Sequence, residues 1–307
     1  MSRRTGFSFA LVGCIATLAV IGISLRTASG EEAGSEEAVR NLGGGHYTYM
    51  GMSNSGFFVT DKGILVVDAL RSPSHARALL AEIRKISDKP ILYLVNTHWH
   101  WDHTFGNGAF PEATKIYSTK ACKERLEKDG PPKWEDLSKE TPEVFEGAEL
   151  VIPEVTFTDE VTLTIGGRKL LVKYIGRGHT DGDAVVVDAE SRVIYAGDLL
   201  FNGVHPYMAD GYSKDWIETL EALHALAQPE PEKWTVVPGH GEPTTPSLAK
   251  DIAEYIRVLR SEVKKALDAG TPEKEIAGSI KLPEKYADLK YPRFIEMSVG
   301  RIIKEMK

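Results

Sequence analysis

The run His98-Trp99-His100-Trp101-Asp102-His103 determines how this sequence is expected to fold and to act. Four of its six side chains, three imidazoles and one carboxylate, are groups that bind metal ions in proteins. The chain has only nine histidines in 307 residues, so chance would rarely place three of them in one run of six. The run therefore predicts a metal centre.

The segment before this run predicts where the centre lies in the fold. Residues 91–95 are short and apolar, which is typical of a buried strand. The run thus begins on the loop at the carboxyl end of a strand, a usual place for ligand sites. Alternate side chains of an extended loop share one side, so we expect His98, His100 and Asp102 to face the same way and His103 to turn toward Asp102.

Three later residues extend the set of candidate ligands: His179, Asp198 and His240. Each follows a predicted strand and has a glycine beside it, which lets the backbone approach closely. Taken singly, each is better explained as a hydrogen-bonding or turn residue. Together with the run they make seven candidate ligands in one structural context.

The chemical types of the seven candidates indicate which ions they would hold. Five imidazoles and two carboxylates, with no cysteine, suit Zn²⁺, and iron or manganese are alternatives. Seven ligands divide into two sets of three that share one carboxylate, which predicts a centre with two metal ions. Two ions about 3.5–4 Å apart can lower the pKa of a water molecule and polarise a carbonyl or phosphoryl group.

Strands and helices occur together in both halves of the chain, which predicts the α/β class and two sheets packed between layers of helices. Residues 129–153 are rich in Pro, Glu and Lys without clear periodicity, and they predict an irregular connection between the halves. The predicted strands are residues 46–50, 56–60, 64–68, 91–95, 115–118, 156–157, 161–165, 169–175, 184–188, 193–196 and 234–237, and the predicted helices are residues 72–86, 119–128, 214–227, 248–269 and 294–306.

The N-terminus has the features of an export signal. Arg3 and Arg4 precede an apolar run over residues 7–25, and small residues follow at 28–30. We therefore expect residues 1–30 to be a signal peptide, residues 31–45 a flexible lead-in and residues 46–307 the folded functional domain. The protein is then periplasmic or extracellular; an uncleaved membrane anchor is the alternative, because the apolar run is about long enough to span a bilayer.

The charge balance restricts the partners. Residues 1–30 contain three arginines and no acidic residue, so the rest of the chain has 34 basic against 44 acidic residues, a net charge of −10. Nucleic-acid binding needs clustered Lys and Arg, so we expect a small-molecule substrate and no nucleic acid, with membrane contact only through the signal or anchor. Cys122 is the only cysteine after residue 30, which excludes an internal disulfide there. The oligomeric state is left open.

Five motifs together resemble those of one family. The run 97–103 resembles the T-H-x-H-x-D-H signature of the metallo-β-lactamase superfamily, and Val66-Val67-Asp68 resembles the early strand of that superfamily that ends in Asp. The other three follow in order within residues 46–245. They are Gly178-His179-Thr180, Ala196-Gly197-Asp198 and Pro238-Gly239-His240-Gly241. The resemblance implies a four-layer αββα sandwich of two mixed sheets, with the site at one edge.

The resemblance also implies a role for each candidate ligand. Asp198 would bridge the two ions, and Asp68 would lie behind the ligands and order the metal loop. The remaining six candidates would divide equally, with His98, His100 and His179 on the first ion and Asp102, His103 and His240 on the second.

The type of residue at position 198 differs between the subfamilies that the chain resembles. An aspartate at this position is similar to the ligand set of glyoxalase II, of RNA-processing members and of lactonases, whereas zinc β-lactamases usually carry Cys or Ser. Phe201 stands where the cysteine-containing β-lactamases place a lysine for the substrate carboxylate. The Gly-Cys-Gly-Arg stretch of glyoxalase II is absent after Asp198. Residues 197–217 resemble exported zinc hydrolases associated with quinoproteins or sulfur oxidation.

We therefore expect a metal-dependent hydrolase in which a metal-bridging hydroxide attacks an ester, lactone, thioester or amide carbonyl. Asp198 and Asp102 would be its catalytic carboxylates, and Asp102 or water would protonate the leaving group. Three further side chains are candidates for substrate contact: Arg177, His205 and Tyr207.

Other functions remain open on the same ligands. One is β-lactam hydrolysis, and a second is an iron-dependent oxidoreductase of the persulfide dioxygenase type. A third, a non-catalytic metal-stabilised binding protein, would need an incomplete ligand set. An RNA nuclease is disfavoured by the acidic charge.

Overall fold

The computed structural model of this chain describes residues 38–307. The predicted signal peptide lies outside the described residues. Within them, no helix is both long and apolar enough to cross a membrane.

The first half of the fold is a seven-stranded mixed sheet. Its strand order is the chain order: the first four strands pair antiparallel, and the last four pair parallel. The strands are β1 (Ala38–Gly43), β2 (His46–Met50), β3 (Ser55–Val59), β4 (Ile64–Val67), β5 (Ile91–Val95), β6 (Lys115–Thr119) and β7 (Val155–Phe157), and the helices among them are α1 (Pro73–Ile86), α2 (Trp101–Thr104), α3 (Lys120–Glu140) and α4 (Pro142–Phe145).

The second half is a five-stranded sheet in which three antiparallel pairs are followed by one parallel pair, β11 with β12. Its strands are β8 (Glu160–Ile165), β9 (Arg168–Tyr174), β10 (Ala184–Asp188), β11 (Val193–Phe201) and β12 (Thr235–His240), and the helices that follow are α5 (Ser213–Leu226), α6 (Leu248–Asp268), α7 (Glu273–Ser279) and α8 (Arg293–Met306).

Three apolar clusters separate four layers. Phe58 and Val95 of the first sheet meet Val186 of the second in the cluster between the sheets. A second cluster joins the first sheet to α1, and a third joins the second sheet to α5, α6 and α8. The αββα sandwich of two mixed sheets, expected from the sequence, is confirmed.

The irregular connection predicted for residues 129–153 is wrong over its first part. Helix α3 continues to Glu140 through Pro131 and Pro132, and α4 follows it. Proline removes a helical hydrogen bond, which is why the sequence indicated a break. The helix continues because Leu126 and Trp134 on its inner face pack around Phe105, so tertiary packing outweighs the local cost.

The flexible lead-in predicted for residues 31–45 is also corrected within the described residues. Residues 38–43 form β1, which pairs with β2 at the edge of the first sheet. The glycines at 43–45 that suggested flexibility make the tight turn between these two strands, all with positive φ.

A buried polar group fastens the two sheets at the edge where β2 and β4 begin. His46 Nε2 lies 2.8 Å from Asp188 Oδ2, and His46 Nδ1 lies 3.1 Å from the hydroxyl of Tyr195. The Tyr195 hydroxyl donates toward the carbonyl groups of Tyr47 and Phe57 in the first sheet. The Tyr195 ring packs closely against Gly56, where an added Cβ would be 2.1 Å from its Cε1.

Gly56→Ala should therefore destabilise the protein by about 1–3 kcal/mol, because the methyl group overpacks a fully buried contact between the sheets. Thermal or urea unfolding measures the change. Gly300→Ala is the matched control, since nothing lies within 4 Å of an added Cβ there and the residue is inside helix α8. The control should be neutral or slightly stabilising, and equal unfolding midpoints for the two variants would contradict the packing described.

Candidate metal centre

The seven predicted ligands come from both sheets and meet at one edge of the sandwich. His98 and His100 follow β5, and Asp102 and His103 lie on the short helix α2. His179 follows β9, Asp198 lies within β11, and His240 ends β12. Because β4 and β5 are parallel neighbours, as are β11 and β12, their carboxyl ends deliver these side chains to the same edge.

A distortion of β11 places Asp198. The strand was predicted to end at residue 196, but it continues to Phe201 through shifts of register against β12 on either side of Gly197. Gly197 has φ +53°, and an added Cβ would lie 2.4 Å from Thr97 Oγ1. An added Cβ at Gly239 would lie 1.8 Å from Asp198 Oδ1, so only glycine there leaves room for the carboxylate.

The ligand atoms form two groups. Nitrogen and oxygen atoms of His98, His100, His179 and Asp198 lie within 4.8 Å of one another, and so do those of Asp102, His103 and His240. These are the two sets implied by the sequence resemblance, with Asp198 in the first.

Asp198 also reaches the second group. Its Oδ1 lies 3.2 Å from His103 Nε2, and its Oδ2 lies 3.3 Å from both His179 Nε2 and His240 Nε2. The Asp102 carboxylate lies 3.4 Å from His240 Nε2 and 3.6 Å from His103 Nε2. Asp198 is therefore the one carboxylate of the set that lies between the groups.

The buried ligand atoms fit a bound cation. Among the described residues, His98 Nε2, His103 Nε2 and Asp198 Oδ1 are buried with no hydrogen-bond partner. A buried polar atom left without a partner costs about 1–3 kcal/mol, so three of them side by side need an explanation. A cation bound among them supplies it, because each atom offers a lone pair in the direction of the group.

Contacts behind the second group fix which imidazole nitrogen faces the centre. His103 Nδ1 donates to Asp68 Oδ2 at 2.9 Å, and His240 Nδ1 donates to the carbonyl of Met52 at 2.5 Å. Because Nδ1 of each ring faces these acceptors, Nε2 is the nitrogen directed at the centre and the one that would bind a metal after giving up its proton. Asp68 also accepts from the backbone NH and the hydroxyl of Thr97, so its predicted location behind the ligands is where the structure places it.

The first group is arranged in the same way. His98 Nδ1 lies 3.1 Å from Thr97 Oγ1, whose own proton goes to Asp68, so the imidazole is the donor. His179 Nδ1 donates to the carbonyl of Tyr207 at 2.9 Å. His100 is reversed: its Nε2 lies 3.2 Å from Asp210 Oδ2, and its Nδ1 lies 2.7 Å from His179 Nε2. Two inward nitrogens this close fit a shared cation.

Burial and charge set the protonation of the centre. Burial lowers the pKa of His179 to about 3 and holds the pKa of His98 well below its usual value, so both are neutral at pH 7. Burial alone would lower the pKa of His240, but Asp198 and Asp102 raise it to about 10. The two carboxylates thus draw positive charge into the centre, whether as protons on the imidazoles or as a metal cation.

Sequence reasoning missed three contributors to this centre: Asp210, Met52 and Asn54. Asn54 Nδ2 donates to the carbonyls of Pro238 and Gly241 and so holds the turn that carries His240. Met52 acts through a backbone carbonyl, which its side chain cannot reveal. Asp210 stands 110 positions from His100 in an irregular loop, and no spacing signal links them.

The structure places the three residues predicted to contact substrate in different surroundings. His205 is 3% exposed, and its Nδ1 lies 2.9 Å from the hydroxyl of Tyr255 on α6. Its imidazole therefore faces the helical layer, which corrects the prediction that it faces a substrate. Arg177 is ion-paired with Asp215 at the surface, so its guanidinium is already engaged.

Tyr207 lies beside the centre. Its ring centroid is 5.8 Å from that of His100, and its side chain is only partly buried. Trp99 and Trp101 pack against the apolar cluster of Phe105, Leu126 and Phe145.

A family profile described as the metallo-beta-lactamase superfamily matches residues 48–240. A metallo-beta-lactamase type 2 from Elizabethkingia meningoseptica is 25% identical over 194 residues, which are 62% of this chain and 69% of that protein. A linear primary-alkylsulfatase from Pseudomonas sp. is 25% identical over an alignment of 268 residues that covers 74% of this chain. The chain spans about half of that alkylsulfatase, 49% of its length.

Solved structures agree on the fold. The metallo-beta-lactamase from Pontibacter korlensis superposes with a TM-score of 0.59 at 21% identity, covering 72% of this chain and 99% of that one. The stereoselective inverting sec-alkylsulfatase Pisa1 from Pseudomonas sp. superposes with a TM-score of 0.69 at 15% identity, covering 88% of this chain and 50% of that one.

Asp68→Asn should weaken metal binding about 10- to 100-fold. An amide offers one acceptor oxygen where the carboxylate accepts from His103 and twice from Thr97, and asparagine still tolerates the φ of +63° at this position. Competition with a chelator measures the affinity.

Asp188→Asn is the control, because it alters the other buried Asp–His pair, at the opposite edge of the sandwich. It should lower stability and leave metal affinity unchanged. Equal affinities for Asp68→Asn and the wild type would show that Asp68 does not support the ligands.

Proposed function

This chain is a hydrolase of the metallo-beta-lactamase superfamily, and we propose that it binds two zinc ions and cleaves an ester-type bond of a small molecule. The observation that carries the proposal is the Asp198 carboxylate, whose oxygens lie 3.2–3.9 Å from the inward nitrogens of four histidines. Those histidines belong to both ligand groups. A carboxylate in that position can serve two ions at once.

His98, His100 and His179 would hold one ion, Asp102, His103 and His240 the other, and Asp198 both. When bound, two such ions lower the pKa of a water molecule and polarise the bond to be cleaved. No cysteine lies among the ligands, so the nitrogen and carboxylate donors suit zinc.

Asp102 is suited to move the proton. Its side chain is 14% exposed against 4% for Asp198, so it is the more accessible of the two carboxylates. Burial alone would raise its pKa, but His103 and His240 lower it to about 2, so the carboxylate is ionised at pH 7. Its Oδ2 can accept a proton from the attacking water and return it to the leaving group.

Tyr207 would contribute a neutral donor. Burial, with Asp210 and Asp102 nearby, raises the pKa of its hydroxyl to about 12, so the proton stays on the oxygen. With the ring beside His100, that hydroxyl can donate to the oxyanion that develops on the substrate.

Ester, lactone, thioester and amide carbonyls are the first candidate substrates. The β-lactam alternative loses support at Phe201, the position that resembles the place of a carboxylate-binding lysine. Phe201 is buried, and its ring is stacked on the His240 ring at 5.3 Å, so it supplies no cation to a substrate. An iron-loaded oxidoreductase on the same ligands would be identified by its metal content.

A sulfate ester is a second candidate. The alkylsulfatase match extends over 74% of this chain and the match to the metallo-beta-lactamase over 62%. A sulfate ester carries its own negative charge, which the two cations would attract. We further propose that the protein acts outside the cytoplasm, on the strength of the export features of residues 1–30.

Asp198→Ala should lose most of the bound zinc and reduce hydrolysis about 100-fold or more, because both ligand groups lose a shared anion. Metal content by plasma emission and turnover of ester, lactone, thioester, β-lactam and alkyl sulfate substrates measure the two effects. The wild type should carry about two zinc ions per chain and turn over an ester in this panel.

Asp61→Ala, at an exposed hairpin position, should match the wild type in both measurements. Unchanged metal content and activity in Asp198→Ala would disprove the bridging role. Turnover of the alkyl sulfate alone would select the second candidate over the first.

A further inference from the structure

We propose that Arg301 and Glu305, in the last helix of the chain, are positioning residues for the metal centre. The inference rests on the proposed function, since it concerns how the zinc ligands are held. Both residues lie outside residues 48–240, the part matched by the family profile. They would act through residues 202–212, called here the orienting loop.

The orienting loop contacts two of the histidine ligands at the ring nitrogen that faces away from the metal centre. The carbonyl of Tyr207 accepts from His179 Nδ1, and the carboxylate of Asp210 lies 3.2 Å from His100 Nε2. These two histidines face each other across 2.7 Å at their inward nitrogens. A shift of the loop would therefore rotate both rings at once.

The loop has no regular secondary structure of its own, so contacts from elsewhere must fix it. Its end packs on the backbone before His179. The NH of Tyr212 donates to the carbonyl of Gly178 at 2.8 Å. At Gly211 an added Cβ would lie 3.1 Å from that same oxygen and 3.4 Å from the carbonyl oxygen of His179.

Arg301 fastens this end of the loop. Its Nε donates to the carbonyl of Gly211 at 2.6 Å, one residue after Asp210, and its guanidinium lies over the ring of Tyr212 at 5.1 Å. Gly211 thus has Arg301 on one side and the His179 backbone on the other.

Glu305 fastens Arg301 and the start of helix α5. It accepts from the NH of Ser213 at 2.9 Å and from the Ser213 hydroxyl, which caps the first turn of α5 with a negative charge. It also accepts from Arg260 of α6 at 2.8 Å and lies 3.3 Å from Arg301 Nε. Side chains 15–27% exposed form this network, so water screens it only in part.

Two other residues of helix α8 contact the middle of the loop, at Pro206 and Tyr207. The hydroxyl of Ser298 donates to the carbonyl of Pro206 at 3.2 Å. The ring of Phe294 packs edge-on against that of Tyr207 at 5.2 Å. Helix α8 therefore contacts the loop at residues that precede Asp210 in the chain and at the residue that follows it.

The test is the pair Arg301→Met and Arg257→Met. Arg257 on α6 pairs with Glu221 on α5, so its loss removes an arginine ion pair between helices without touching the loop. In cobalt-substituted protein, Arg301→Met should change the d–d absorption spectrum and weaken metal retention about three- to tenfold. Arg257→Met should leave both as in the wild type.

A second readout needs no metal. In the chelated protein, hydrogen exchange at residues 207–212 should accelerate in Arg301→Met and stay unchanged in Arg257→Met. Glu305→Gln, which keeps an acceptor for Ser213 but loses the charge, should shift the same readouts to a smaller extent; it decides the matter if Arg301→Met does not fold.

The outcomes separate the two proposals. A wild-type protein that binds no metal would overturn the proposed function. A wild type that binds metal, with folded Arg301 or Glu305 variants whose cobalt spectra and metal retention are unchanged, would overturn the positioning role alone. Lower unfolding temperature with an unchanged spectrum would also count against it, because that is the result of a purely structural role.

Discussion

The constraint on which the rest of this structure depends is a buried negative charge. Asp198 is 4% exposed and lies among imidazoles, where an uncompensated carboxylate would cost several kcal/mol. Burial keeps His179 neutral although its Nε2 lies 3.3 Å from Asp198, whereas His240, at the same distance, also lies 3.4 Å from Asp102 and has its pKa raised to about 10. Positive charge must therefore occupy this edge of the sandwich. The fold places imidazole and carboxylate groups around Asp198, where they can hold that charge.

The backbone meets the requirement through local departures from regular structure. Gly197 adopts a left-handed conformation within β11, and Gly239 on the neighbouring strand leaves space for the carboxylate. Asp68 and Leu70, which are not glycines, also have positive φ where the chain leaves β4. Such backbone costs about 1–3 kcal/mol per residue and persists where the surroundings fix it, as they do around Asp68.

The ligands were predictable because their chemistry is carried by side-chain type. Three histidines and an aspartate after an apolar strand indicate a metal loop whatever the rest of the chain does. Asp68 behind them was predictable too, but the backbone contacts were not, because Met52 and Tyr207 act through carbonyl groups that every residue possesses. Helix α3 beyond Pro131 was missed for the opposite reason: local chemistry indicated a break, and packing around Phe105 prevailed. In the fold as a whole, most strands and the long helices followed from periodicity, whereas β1, α7 and the lengths of several elements did not.

The two sheets are tied together by polar groups at both edges, and the two ties differ in kind. At one edge the His46–Asp188 pair belongs wholly to the chain. At the other, ligands from both sheets converge on Asp198, so the strength of that tie depends on what the surroundings supply. The rigidity of such a protein would therefore depend on whether a cation is bound at this edge. Without a cation this edge of the sandwich would loosen first, while the edge held by His46 and Asp188 keeps the strands in register.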